Sequence, residues 1–326
     1  MRKRGIPIWL GIVVFLAAFV AGAISKVAIK PSWVKDYSAK WSDEIGTLIT
    51  NLPYGEGDEQ KFDLYLPKDN PRNAYGLAVY LHAGGFTQGD KAGDRDMLAW
   101  LCKKGYVAAG INYTLAKDLG KESSNGASVY TQSNEIKAAV PKVIEAAEAA
   151  GYPIDKMSIG GGSAGHALAM IYAYRDAKDA PVPVVFTFGA VGPSCFIKED
   201  WDNYGFDQET EESYVGAAGL FSAMLGEWIL VECVKDGSYQ EMLKPISATQ
   251  WITPDAPPTV VAYGTYDRMQ PFKASLRLKA ALEANGVDFK YFEMPHSGHG
   301  LQNDNAVQKL WIMAVDEYLD KYMPVK

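Results

Sequence analysis

This chain is short of cysteine, histidine and positive charge, and each shortage excludes a class of function. Lysine and arginine number 32 against 39 aspartates and glutamates, a formal net charge of −7. It therefore lacks the basic face that phosphate neutralisation requires, and no nucleic-acid partner is expected. Its three cysteines, Cys102, Cys195 and Cys233, show no C-x-x-C spacing, so no zinc site and no other metal is expected. Three is odd, so at least one thiol is unpaired. Cys195 and Cys233 are read either as small buried apolar residues or as a bridge in an exported protein. Internal repeats, low-complexity tracts and long charge runs are absent too. What remains is an ordinary globular composition, 48% hydrophobic and 22% charged.

Only one long apolar run exists, Ile6 to Ile24, preceded by Arg2, Lys3 and Arg4. Charge followed by an apolar stretch is the pattern of an export signal, and Ala21-Gly22-Ala23 offers a small-residue cleavage site. The run is also just long enough to span a bilayer, with the positive end on the cytoplasmic side. Residues 1–25 are thus expected to be a cleaved signal or a retained membrane anchor. The rest of the chain would be extracytoplasmic, secreted or tethered by one N-terminal helix. No cysteine follows the run closely enough for lipoprotein processing.

Beyond a lead-in over 26–59, short apolar strands alternate with helical patterns. Strands are expected at 61–67, 77–82, 106–113, 156–161, 182–189, 258–264 and 288–294. Helices are expected at 91–104, 133–150, 164–175, 271–285 and 303–321, with Pro141 kinking or restarting the second. Such alternation predicts an α/β fold, a mostly parallel sheet with helices on both faces. The core is read as two parts, 60–194 and 246–326. Between them, 195–245 breaks the rhythm and is dense in aromatics: Phe196, Trp201, Tyr204, Phe206, Tyr214, Phe221, Trp228 and Tyr239. It is read as a helical lid whose aromatics mostly form its own core, with a few left to line a pocket.

The stretch IGGGSAGHA, residues 159–167, satisfies two motifs. From Gly160 it reads G-x-G-x-x-G, a dinucleotide phosphate loop; from Gly161 it reads G-x-S-x-G, a turn presenting a nucleophilic serine. A dinucleotide loop follows the first strand of its unit and has an acidic residue ending the next strand. Here about four strands come first, and the next strand ends in Gly189-Ala190. No dinucleotide and no other cofactor is therefore expected. The nucleophile reading requires a strand-to-helix turn at Ser163, which the strand over 156–161 and the helix over 164–175 provide. It requires an earlier glycine loop with amides for an oxyanion, and HAGGF (82–86) follows the strand over 77–82. It requires an acid and then a histidine after later strands; Asp267 and His299 stand there.

The set HAGGF, GDK (89–91), GINYTLA (110–116), GGSAG, YGTYD and HSGHG resembles the α/β-hydrolase carboxylesterases. More narrowly it is similar to the hormone-sensitive-lipase-like and feruloyl/acetyl-esterase-like families, over about residues 60–321. The resemblance implies a triad of Ser163, Asp267 and His299. It also implies an oxyanion hole from the amides of Gly84, Gly85 and Ala164. His299 is preferred to His296 as base, and Asp267 to Asp288 and Asp304 as acid. His82 is read as ordering its loop, and Asp90 with Lys91 as a local pair steadying that loop or a solvated surface pair. Two positions depart from the family pattern. Ala83 stands for the first glycine of an HGGG loop, and His166 for a glycine after the serine turn, where it would pack the helix or shape the pocket.

The expected activity is hydrolysis of short-chain or aromatic acyl esters through an acyl-enzyme. The expected partner is a small-molecule ester, acylated carbohydrates among the candidates, and the membrane if the N-terminal segment is uncleaved. Amide hydrolysis, as in formamidases or exopeptidases, uses the same triad. A catalytically dead tethered binding protein is the reading from another class.

Overall fold

A computed structural model describes residues 31–68, 72–118 and 124–325. The apolar N-terminal run lies outside the described residues. Among the described residues no helix is long and apolar enough to cross a membrane. The chain divides into two units, 1–36 and 37–326. Of the first, a 3-10 turn over Ser32–Asp36 is described.

The second unit is built on one sheet of eight strands among the described residues. These are β1 (Gly46–Pro53), β2 (Lys61–Pro67), β3 (Tyr75–Leu81), β4 (Val107–Ile111), β5 (Ile154–Gly162), β6 (Val184–Ala190), β7 (Thr259–Gly264) and β8 (Phe289–Met294), in the spatial order β1-β2-β4-β3-β5-β6-β7-β8. β1 and β2 pair antiparallel with each other, and β2 with β4; every later pairing is parallel. The interior strands β4 and β7 are buried along their whole length, as sheets covered on both faces demand.

The helices of the core are α1 (Arg95–Lys103), α2 (Val129–Ala149) and α3 (Ala164–Ile171). After an insertion with α4 (Glu211–Leu225), α5 (Val231–Asp236) and α6 (Tyr239–Met242) come α7 (Phe272–Ala284) and α8 (Asn305–Tyr322). α1 packs on β2 and β4, α2 on β2, β4 and β5, α3 on β3, β5 and β6, and α8 on β6 to β8. The chain leaves β3 toward β4 in one direction and returns past it to β5 in the other. Right-handed crossovers then send α1 and α2 to opposite faces. That reversal opens a crevice beyond the C-terminal ends of β3 and β5. HAGGF and the Ser163 turn emerge at those two strand ends.

Two elements, β1 and α2, depart from the sequence expectation. β1 lies within the stretch read as a lead-in; it is a half-exposed edge strand whose register shifts between Ile49 and Leu52, so it carries no clean alternation. α2 begins at Val129, not 133, because Ser128 and Thr131 form a capping box. It then runs as one element through Pro141. In the insertion, Phe196, Trp201, Phe206, Phe221 and Tyr239 are buried on one another, with ring centroids 5.5–5.9 Å apart. Tyr204 and Trp228 remain 43% and 79% exposed. Cys102, Cys195 and Cys233 are all free thiols.

Candidate active site

The Ser163 turn is shaped by close approach and backbone strain. A Cβ on Gly165 would lie 2.0 Å from the Leu81 carbonyl oxygen, so only glycine lets the start of α3 settle on the end of β3. Ser163 itself has φ 49° and ψ −117°, a conformation that a serine adopts only when its surroundings over-determine it. Its N–H donates to the Ala190 carbonyl at 2.9 Å, and its own carbonyl accepts the Ala167 N–H at 3.0 Å.

Asp267 and His299 meet this serine. Ser163 Oγ lies 2.8 Å from His299 Nε2, and His299 Nδ1 lies 2.8 Å from Asp267 Oδ2. The carboxylate can only accept, so Nδ1–H donates to it and Nε2 is left as the acceptor for the serine hydroxyl. Asp267 Oδ1 accepts the N–H groups of Met269 and Gln270 at 2.8 and 2.9 Å, which fixes the carboxylate plane. The Asp267 side chain is 1% exposed and that of His299 25%, so the imidazole reaches solvent while the carboxylate bonded to it does not. The loop carrying Asp267 is tied to the insertion: Asn203 Nδ2 donates to the Arg268 carbonyl at 2.6 Å, and the Tyr204 hydroxyl to the Met269 carbonyl at 3.0 Å.

His296 stands apart from the serine and pairs through Nδ1 with Asp304 Oδ1 at 2.8 Å. Asp304 Oδ2 accepts the His296 N–H and the Ser297 hydroxyl, at 2.9 and 2.6 Å. This cluster braces the turn that leads into His299. Asp288 bonds Tyr318 and Lys321 of α8.

Gly84 and Gly85 take φ values of 143° and 58°, and Phe86 follows at 67°. The loop is held by its carbonyls: that of Gly84 accepts the Thr87 and Gln88 N–H groups, both at 3.1 Å. That of Phe86 accepts the Ala116 N–H at 2.9 Å and Gln132 Nε2 at 2.8 Å. Among the described residues no hydrogen bond engages the N–H of Gly84 or Gly85. Ala164 is the first residue of α3, so its N–H has no intrahelical acceptor. These three N–H groups are therefore without a backbone acceptor among the described residues.

His82 is 2% exposed and stacks on Tyr113, ring centroids 4.3 Å apart and planes 9° off parallel. Its Nδ1 bonds the Ala83 carbonyl at 2.9 Å, and Tyr113 donates to the His82 carbonyl at 2.9 Å. Burial pushes its imidazole pKa down. It orders the loop. Lys91 corrects the local-pair expectation. Its side chain is 5% exposed and lies 3.3 Å from Asp63 on β2 and 2.9 Å from Asn51 on β1. Asp90 instead takes Asn112 Nδ2 at 2.6 Å and the Ala92 N–H at 2.7 Å. Asn112 Oδ1 accepts the Lys91 N–H at 2.7 Å, so the two residues are joined through Asn112.

Sequence reasoning passed over Gln132, although a signal was present. It is a polar residue on the buried face of α2, between Val129 and Ile136. Its Nε2 also donates to the Thr114 carbonyl at 2.8 Å, so it joins the glycine loop to the GINYTLA strut. Among the described residues no group of three or more His, Cys, Asp or Glu side chains could hold a metal ion.

The family model BD-FAE matches residues 62–282, a span from β2 to the last turns of α7. The chain belongs to the BD-FAE family. BD-FAE proteins are α/β-hydrolases of the feruloyl/acetyl-esterase type, and the fold of this member agrees with solved esterases. A truncated carbohydrate esterase from gut microbiota aligns with a TM-score of 0.67 at 17% identity, covering 87% of this chain and 99% of that chain. The thermophilic esterase Est2 of Thermogutta terrifontis aligns at 0.64 and 19% identity, covering 84% and 92%. Esterase B of Lactobacillus Rhamnosis aligns at 0.62 and 18%, covering 96% and 95%. These likenesses are likenesses of fold. A kynurenine formamidase of Salmo salar is 32% identical over 72 residues. That match spans 22% of this chain and about a quarter of the formamidase, 24%.

Proposed function

We propose that this BD-FAE member is a serine carboxylesterase with Ser163, His299 and Asp267 as its triad. The observation that carries the proposal is the unbroken hydrogen-bonded series from Ser163 Oγ through His299 to the buried Asp267, two contacts of 2.8 Å. His299 Nε2 takes the serine proton as Oγ attacks the ester carbonyl, and Asp267 stabilises the resulting imidazolium and holds its orientation. The oxyanion forms against the amides of Gly84, Gly85 and Ala164, in backbone positions set before substrate arrives. Collapse of the tetrahedral intermediate breaks the C–O bond, and His299 passes its proton to the leaving alcohol. Water then attacks the acyl-enzyme by the same steps, so one ester and one water give one acid and one alcohol.

Short-chain or aromatic acyl esters, acylated carbohydrates among them, are the proposed substrates. Tyr204, Tyr266 and Met269 support this, because they expose 43%, 70% and 59% of their surface on and beside the loop that carries Asp267. Amide hydrolysis is the second reading, favoured by the segment shared with kynurenine formamidase. A panel of p-nitrophenyl acetate, acetylated sugars, feruloyl esters and an N-formyl aryl amine separates the two. Ester kcat/KM is expected to exceed the formamide value. Export is proposed from the N-terminal run and its preceding charges, and N-terminal sequencing of the mature protein distinguishes cleavage from retention.

Ser163→Ala tests the core of the proposal. Hydrolysis of p-nitrophenyl acetate should fall by about 10³-fold or more with the fold intact. A fluorophosphonate should label the parent chain and not the variant. Substantial turnover by Ser163→Ala would refute the triad, and absence of labelling in the parent would favour a catalytically dead binding protein.

A further inference from the structure

His166 is the one side chain at the Ser163 turn that the triad and the oxyanion loop do not use. It is completely buried, on the first turn of α3, three residues after Ser163. Its Nδ1 accepts the Gly192 N–H at 3.0 Å, which places the proton on Nε2. Nε2 is buried with no partner among the described residues. An imidazole held this way gives up hydration, and what it offers that a packed apolar side chain does not is the Nδ1 acceptor. Burial pushes its pKa down to about 3, so Nδ1 keeps its lone pair throughout the working range of an esterase.

What the acceptor holds is a strained strand exit. Val191, the residue after β6, has φ 52°, a genuine outlier for a β-branched side chain. Four contacts over-determine that turn. Val191 N–H donates to the Ala262 carbonyl at 3.0 Å, the Tyr263 hydroxyl to the Gly192 carbonyl at 2.9 Å, and Gly192 N–H to His166. The fourth is the Ser163 N–H on the Ala190 carbonyl at 2.9 Å. The neighbouring glycines are fitted to the imidazole: a Cβ at Gly189 would lie 2.4 Å from His166 Cδ2, and one at Gly192 would lie 2.8 Å from His166 Cβ. The result is a closed ring running Ser163, α3, His166, Gly192, Ala190 and back to Ser163. Two left-handed residues, Ser163 and Val191, sit on it and are locked to each other.

We infer that His166 is a positioning residue for the nucleophile: by accepting the Gly192 N–H it fixes the strained exit of β6, and through Ala190 it fixes the backbone of Ser163. The inference rests on Ser163 being the nucleophile only for its kinetic readout; the structural readout stands without it.

His166→Leu keeps a side chain of similar size and removes the acceptor, whereas His166→Asn places an amide oxygen near the position of Nδ1. Two quantities are measured: kcat and KM on p-nitrophenyl acetate, and amide hydrogen exchange at Gly192 and Ser163 by NMR. His166→Leu is expected to lower kcat about 10- to 100-fold with KM little changed, and to speed exchange at both amides. His166→Asn should restore both. A folded His166→Leu with parental kcat overturns the inference. So does His166→Asn as impaired as His166→Leu, or faster exchange at Gly192 alone. If His166→Leu does not fold, Tyr263→Phe perturbs the same turn from its other side. Faster Ser163 exchange with a severalfold loss of kcat is expected there, and unchanged Ser163 exchange overturns the inference. Retained activity in Ser163→Ala would refute the esterase proposal and leave the exchange result standing.

Discussion

Lys91→Met offers the sharpest test of how the glycine loop is held. The Lys91 ammonium lies 3.3 Å from Asp63 Oδ1, and the two side chains are 5% and 3% exposed. Removing it leaves a buried carboxylate whose Oδ1 keeps one partner, the Asn51 N–H at 2.8 Å. Breaking one half of a buried pair costs about 3–5 kcal/mol, and the surviving N–H bond puts the expectation at the lower end, about 3 kcal/mol. Domains are stable by only about 5–15 kcal/mol, so the loss is a large fraction of the total. At about 2–4 °C per kcal/mol for a large domain, Tm should fall by roughly 6–12 °C. Asp63→Leu combined with Lys91→Met removes both charges and should recover stability to within about 1 kcal/mol. Thermal melts of parent, single and double variants at pH 7 make the comparison. A single variant losing less than about 2 °C, or a double variant no more stable than the single, would refute the reasoning. Because Asn112 joins Lys91 to Asp90, the double variant also shows in its kcat whether the turn stays in place without the ion pair.

Two further predictions concern charge. Burial raises the Asp94 carboxyl to about 6 from its ordinary 3.8. The folded state then binds more protons than the unfolded one between about pH 4 and 6, so stability from this group is present below that window and lost as pH rises through it. Asp94→Asn should raise Tm at pH 8, by on the order of 2 kcal/mol of stability, and change little at pH 4; equal effects at both would contradict it. Asp267→Asn keeps the size of the side chain but offers an amide to His299. A kcat loss of about 10³- to 10⁴-fold with KM little changed is expected, read on p-nitrophenyl acetate.

The family was legible in the sequence, and so were the motifs from which the candidate site residues were read, because their constraints are local. A glycine-flanked serine between a strand and a helix, a glycine loop after an earlier strand, and an acid and a histidine after later strands each show in a few adjacent residues. The alternation of strands and helices was legible for the same reason. It came from the apolar period of buried strands and of helices covering them. What failed locally was β1, an edge strand with a register shift, and the start of α2, set by a polar capping box and not by its apolar stripe.

The supports of the site were decided by tertiary structure alone. Lys91 finds Asp63 28 positions away, where β2 runs beneath the turn, and not the adjacent Asp90 that sequence proximity suggests. Gln132 reaches the Phe86 carbonyl across 46 positions, and the imidazole of His166 meets Gly192 only because β5 and β6 are neighbours in the sheet. Chemistry at a turn is written in consecutive residues; the hydrogen bonds that hold the turn depend on which strands lie side by side, and local sequence does not encode that order.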